Sequence, residues 1–99
     1  MKTLTIIGKR WFDRKNGNTY FSTRVVIDGE WVDGVAFAYG YDDAYVEVTY
    51  ESLEERGLVP LRERHATGGR ETPRIAAERA GVKLTYSAAD VARRKDLTP

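Results

Sequence analysis

The residues best suited to chemistry in this 99-residue chain are rings and cations gathered around short turns. Lys9-Arg10-Trp11-Phe12 stands just before Arg14-Lys15, Asn18-Thr19-Tyr20 follows, and Tyr39-Gly40-Tyr41 comes further on. Aromatic faces stack on bases, cations hold phosphates, and Asn or Thr reads polar edges. That combination is what a nucleotide pocket requires. The candidate ligand-binding residues are Arg10, Trp11, Asn18, Tyr20, Tyr39 and Tyr41, joined by Arg62, Arg64 and Arg70 from a glycine-rich loop that would close over an anion. A second use stays open for each group. The rings could be cross-strand packing pairs beside a hairpin, and the loop arginines could simply be solvated.

Other chemistries have less to work with. There is no cysteine, which removes disulfides, thiolate metal sites and cysteine nucleophiles. The single histidine, His65, lies in the glycine-rich loop with no nucleophile motif around it. No G-x-S-x-G, H-E-x-x-H or P-loop occurs. Gly68-Gly69-Arg70 offers backbone N–H groups to a phosphate or is a plain flexible connection. The carboxylates of residues 42–55 lack the spacing of a cation-binding loop. The expectation is a binding protein more than an enzyme, with no catalytic residue, metal or cofactor assigned. Its expected partner is a small anionic ligand such as a nucleotide.

The formal net charge is +1, but the charges are sorted along the chain. Residues 1–24 carry +5, residues 28–55 carry −9 with no Lys or Arg, and residues 56–99 carry +5. Such blocks neutralise one another within the fold, form a basic anion-binding face, or pair subunits as complementary patches. A homo-oligomer is therefore expected, and the acidic block is a candidate surface for a protein partner. A uniform nucleic-acid coat is disfavoured, because the acidic block repels phosphates.

These side chains need elements to position them. The length fits a single domain, 1–99, and no apolar run approaches the roughly 18 residues of a membrane span. No signal-peptide core follows Met1, so the expected compartment is the cytoplasm. Lys2–Phe12 reads as a strand, with Gly8 a bulge or a close approach. Asn16-Gly17 predicts a type I′ hairpin turn. Thr19–Asp28 returns with Phe21, Thr23, Val25 and Ile27 on the core face. After an Asp28-Gly29 turn, a third strand spans Glu30–Tyr39, with Asp33-Gly34 either a bulge that breaks it or the true turn. Residues 44–50 alternate like a strand, yet ESLEER and Gly57 favour a helix over Ala44–Arg56, capped by Asp42 or Asp43. Residues 62–72 show no period and read as a mobile loop. A helix over Pro73–Ala80 capped by Thr72, a strand over Val82–Tyr86 and a helix over 88–95 with a Ser87/Asp90 capping box complete the chain. The fold class is α+β: an N-terminal antiparallel three-stranded meander with a packed helix, then a short helix–strand–helix tail.

The combination of RWF, NGNTYF, YGYDDAY and YSAADVARRKDL resembles a group of small bacteriophage-encoded accessory proteins. The resemblance carries no catalytic residue. It implies the cytoplasm of an infected bacterial host and antagonism of host defence. Some such proteins are oligomeric sponges for cyclic-nucleotide or cyclic-ADP-ribose messengers, and others mask a host protein.

Overall fold

The computed structural model describes residues 1–98. Strands β1 (Thr3–Asp13) and β2 (Asn18–Ile27) form a long antiparallel hairpin, paired from Leu4↔Ile27 to Asp13↔Asn18. Strand β3 (Glu30–Asp33) extends the meander, and the two-residue β4 (Ala38–Tyr39) pairs further along β2. Helices α1 (Ala44–Glu55) and α2 (Pro73–Arg79) follow. Strand β5 (Lys83–Val91) returns parallel to β1, and a single 3₁₀ turn spans Arg94–Leu97. The sheet order is β3-β2-β1-β5. The α+β class is present, as a mixed five-stranded sheet with two helices among the described residues.

The turns exchange their expected roles. The type I′ geometry sits at Asp28-Gly29, where φ is 49° and 84° and a two-residue loop joins Ile27 to its partner Glu30. The carboxylate of Asp28 accepts from the amides of Thr3 at 2.9 Å and Lys2 at 2.7 Å, which hold it below the usual carboxylate range. Asn16-Gly17 belongs instead to a four-residue loop, 14–17, in which only Gly17 has positive φ. The Asp13 carboxylate accepts from the amides of Lys15 and Asn16 and from the Asn16 side chain, and this folds the wider loop.

The third strand breaks at Asp33-Gly34. A Cβ at Gly34 would lie 2.4 Å from the Thr23 carbonyl oxygen, so the chain there presses onto β2 more closely than a side chain allows. Gly8 causes no bulge, since the β1–β2 register runs through it, but the Tyr45 ring lies against it.

Helix α1 forms as the continuous 44–56 reading requires. Asp43 occupies the N-cap position without a side-chain capping bond. At the other end Gly57 N–H donates to Glu54 O and Leu58 N–H to Leu53 O, the paired bonds of a Schellman stop. Thr72 caps α2 by accepting from the Ile75 amide at 3.2 Å.

The tail departs from expectation. No helix forms over 88–95, and the 82–86 strand is extended to Val91. Strand β1 offers a partner at every step from Thr3↔Lys83 to Trp11↔Val91, and an isolated helix that short is marginal in water. Ser87 and Asp90 are therefore strand residues and make no capping box. The 62–72 segment is also more ordered than its lack of period suggests. Arg64 and Arg70 form a β-bridge, and His65 N–H donates to Gly69 O at 2.6 Å.

Both helices lie on one face of the sheet. Leu4, Val25, Tyr50, Leu53, Val59, Ala76, Ala77 and Val82 form one buried cluster, and Ile6, Phe21, Tyr45 and Val46 form another. Between sheet and helix, Thr23 and Thr49 share a buried hydroxyl hydrogen bond of 2.7 Å, and Thr23 Oγ1 also accepts from Val35 N–H at 2.9 Å. Thr23→Val keeps the shape but strands the Thr49 hydroxyl and the Val35 amide. The expected loss is about 1–3 kcal/mol in urea denaturation, partly recovered in the T23V/T49V double variant. Equal midpoints for wild type and T23V would refute this role.

Candidate ligand-binding cleft

Alternation along β1 and β2 sends Thr5, Ile7, Lys9 and Trp11, with Tyr20, Ser22, Arg24 and Val26, to the face away from the helices. On this face the rings assemble in series. Trp11 stacks on Tyr20 with centroids 5.9 Å apart, and Tyr20 stacks on Phe37 at 4.9 Å. Tyr39 meets Tyr20 edge-on at 5.7 Å, and Tyr41 meets Tyr39 at 5.5 Å. The Tyr39 hydroxyl donates to the Tyr41 oxygen at 2.7 Å. That bond, with a smaller contribution from burial, pushes Tyr39 above the usual phenol range, so it is no acid at neutral pH. The rings are not sealed. Tyr39 and Tyr41 are each 51% exposed, and Trp11 and Tyr20 are half-buried.

The C-terminal turn reaches the same face. The Arg94 guanidinium lies 4.9 Å from the Phe37 centroid, and Lys9 Nζ donates to Thr98 O at 3.2 Å.

At the hairpin end of the sheet an open cleft of about 810 Å³ is lined by Arg10, Trp11, Phe12, Arg14, Thr19, Tyr41, Asp42, Asp90, Val91 and Ala92. Arg10 is the residue of β1 that passes the start of α1. Its Nε donates to Asp90 at 3.2 Å and its Nη1 to the Asp42 carbonyl at 3.4 Å. Asp42 has φ 48°, a left-handed conformation that aspartate tolerates better than most residues. Arg14, on the hairpin loop, makes no ion pair among the described residues. The cleft thus combines a tethered guanidinium, an untethered one and exposed rings.

The expected residues divide. Arg10, Trp11 and Tyr41 line the cleft, whereas Tyr20 and Tyr39 do not: they belong to the ring series on the sheet face away from the helices, which touches the cleft through Trp11 and Tyr41. Asn18 closes the hairpin opposite Asp13, on the Tyr20 side, and its neighbour Thr19 faces the cleft instead. Arg62, Arg64 and Arg70 lie elsewhere, toward the C-terminal end of α1, a helix about 18 Å long. Arg62 is not a free lid residue. Its buried side chain is bound by Glu47 and by Glu54, the latter at 2.7 Å. Burial opposes its charge, but the hydrogen bonds and charges of Glu54 and Glu47 outweigh that and raise its pKa. Arg64 and Arg70 line a small depression with Glu51, Glu54 and Glu55, and Arg70 lies 4.0 Å from Glu51. The basic tail block and the acidic helix therefore neutralise each other in part within one chain.

Phe37, Arg94, Asp42 and Asp90 were not among the expected site residues. Phe37 reaches Tyr20 only because the third strand breaks, and Asp90 meets Arg10 only because β5 outruns its apolar core. Asp33-Gly34 marks the break locally, but nothing local marks the length of β5 or the ring that the break brings to Tyr20.

Among the described residues no group of three or more His, Asp or Glu side chains could hold a metal ion, and no helix is long and apolar enough to cross a membrane. No protein-family model, curated protein or solved structure matches the chain.

Proposed function

We propose that this chain is a non-catalytic binder of a small anionic ligand carrying a flat ring, most simply a nucleotide. On the resemblance to phage accessory proteins, its setting is an infected bacterial cytoplasm and its role is sequestration of a host-defence nucleotide messenger. The observation that carries the reading is one open cleft at the hairpin end of the sheet, lined by Arg10, Phe12, Arg14 and Tyr41, with Trp11 reaching its rim from the opposite sheet face. A base stacks on the rings, a contact worth about 1–3 kcal/mol. The phosphates take Arg14, with Arg10 pre-aimed by Asp90.

Calorimetric titration against cyclic and linear nucleotides tests it. Saturable heat with at least one of them is expected, weakened roughly tenfold or more by Trp11→Ala and by Arg14→Ala. No heat with any nucleotide at micromolar protein sinks the reading.

The alternative, capture of a host protein by the acidic 28–55 surface, has less support. Glu47 and Glu54 are occupied by Arg62, and Glu51 approaches Arg70. Direct nucleic-acid binding predicts affinity that falls steeply with salt, which gel shifts at two salt concentrations reveal.

A further inference from the structure

Strand β5 is a sheet edge: it pairs with β1 on one side and, among the described residues, with no strand on the other. At nine residues it is long for an edge, and it lacks the usual protections. It has no proline and no bulge, its one lysine is the first residue, and its one carboxylate, Asp90, is turned to Arg10.

The phase of its free hydrogen bonds follows from the ladder. Lys83 N–H donates to Lys2 O at 2.9 Å, so residues 83, 85, 87, 89 and 91 spend their backbone groups on β1. Leu84, Tyr86, Ala88 and Asp90 turn theirs outward. Those four donors and four acceptors are the template.

We infer that this edge pairs with the same edge of a second copy of the chain, antiparallel about a two-fold axis, to make one continuous sheet. One register uses all four outward residues. It sets Leu84 against the partner's Asp90 and Tyr86 against the partner's Ala88, with Ser87 against the partner's Ser87 on the axis. About eight main-chain hydrogen bonds result. The side chains suit that register. A large ring faces a methyl group, hydroxyl faces hydroxyl, Thr85 faces the partner's Ala89, and no like charges stand opposite. The neighbouring surface is apolar as well. Tyr86 is 41% exposed and Ile75 is 46% exposed, and they line one groove of about 350 Å³ on the helix side of the edge. An edge that matches itself this way fits a second copy better than an unrelated strand. The inference rests on backbone geometry and is independent of the ligand reading.

Sedimentation equilibrium on the full chain tests it. Wild type is expected at twice the 11.2 kDa chain mass. Ala88→Pro removes an outward donor and spares the β1 ladder, so it is expected to halve the mass with an unchanged circular dichroism spectrum. Ser87→Glu places two carboxylates face to face on the axis and is expected to do the same. In wild type, the amides of Leu84, Tyr86, Ala88 and Asp90 are expected to exchange hydrogen as slowly as those facing β1. A monomeric wild type, a folded variant that keeps the doubled mass, or fast exchange at those four amides overturns the inference. An unrelated strand as occupant would show as a monomer that gains mass only with an added partner.

Discussion

Replacing Arg62 by methionine is expected to lower the free energy of unfolding by about 3–5 kcal/mol. The Arg62 side chain is 2% exposed and the Glu54 side chain 10% exposed. Methionine fills much of the space but leaves the Glu54 carboxylate, and with it Glu47, without a guanidinium. The Arg62 amide still donates to Glu54 at 2.8 Å, which is not enough for a buried charge. Arg62 also lies over the Tyr50 ring at 5.6 Å, and the Tyr50 hydroxyl donates to Pro60 O at 2.6 Å. Burial, the largest cause, pushes that hydroxyl up to about 12, so it stays a donor across the working range. The substitution therefore strikes the joint between α1, the core and the following loop.

A domain of this size shifts by roughly 4–8 °C per kcal/mol, so the melting temperature is expected to fall by at least about 12 °C. Adding Glu54→Gln is expected to restore part of the loss, because removing the orphaned charge removes most of the penalty. The same experiment separates two roles for this arginine. If Arg62 were a ligand-closing residue, R62M would weaken nucleotide binding and leave the melting temperature within a degree or two.

Phe21→Ala is expected to cost about 3–5 kcal/mol as well, by emptying the second core cluster. Phe21 is 1% exposed and packs with Ile6, Tyr45 and Val46. Its strand neighbours are Arg10 on β1 and Ala38 on β4. Its ring also lies beneath Gly40, whose amide donates to Thr19 O at 3.0 Å. The hole therefore opens under the segment that carries Tyr39 and Tyr41. Denaturation followed by tryptophan fluorescence gives the stability, and hydrogen exchange gives the place. Amides of residues 39–41 are expected to exchange faster than those of α1 under mild denaturant. A uniform acceleration would mean that this cluster does not hold the loop separately from the rest. Tyr20→Ala, on the opposite face of the same strand, is expected to cost less stability, since Tyr20 is half-buried, and to reach ligand affinity only through Trp11, on which its ring stacks.

Much of the architecture was legible because it is local. Alternation along Asn18–Ile27 places Phe21, Thr23 and Val25 inside, and the structure buries all three. Val46, Tyr50 and Leu53 recur at helical spacing and are buried on one stripe of α1. The Gly57 stop, the Thr72 cap and the Asp28-Gly29 turn each depend on a few neighbouring atoms. The grouping of rings with Arg10 and Arg14 was legible for the same reason, since one hairpin holds most of them.

What the tertiary structure alone decided is what depends on distant partners. The eight residues from 88 carry helix-compatible side chains, but β1 is long enough to offer every one of Lys83–Val91 a ladder position, and pairing outweighs weak propensity. Arg62 reads as one more loop cation until α1 brings Glu47 and Glu54 to it from 15 and 8 residues away. A carboxylate and a guanidinium interact through space with no periodic signature, so spacing along the chain cannot reveal which charges will be buried together and which will remain free for a ligand.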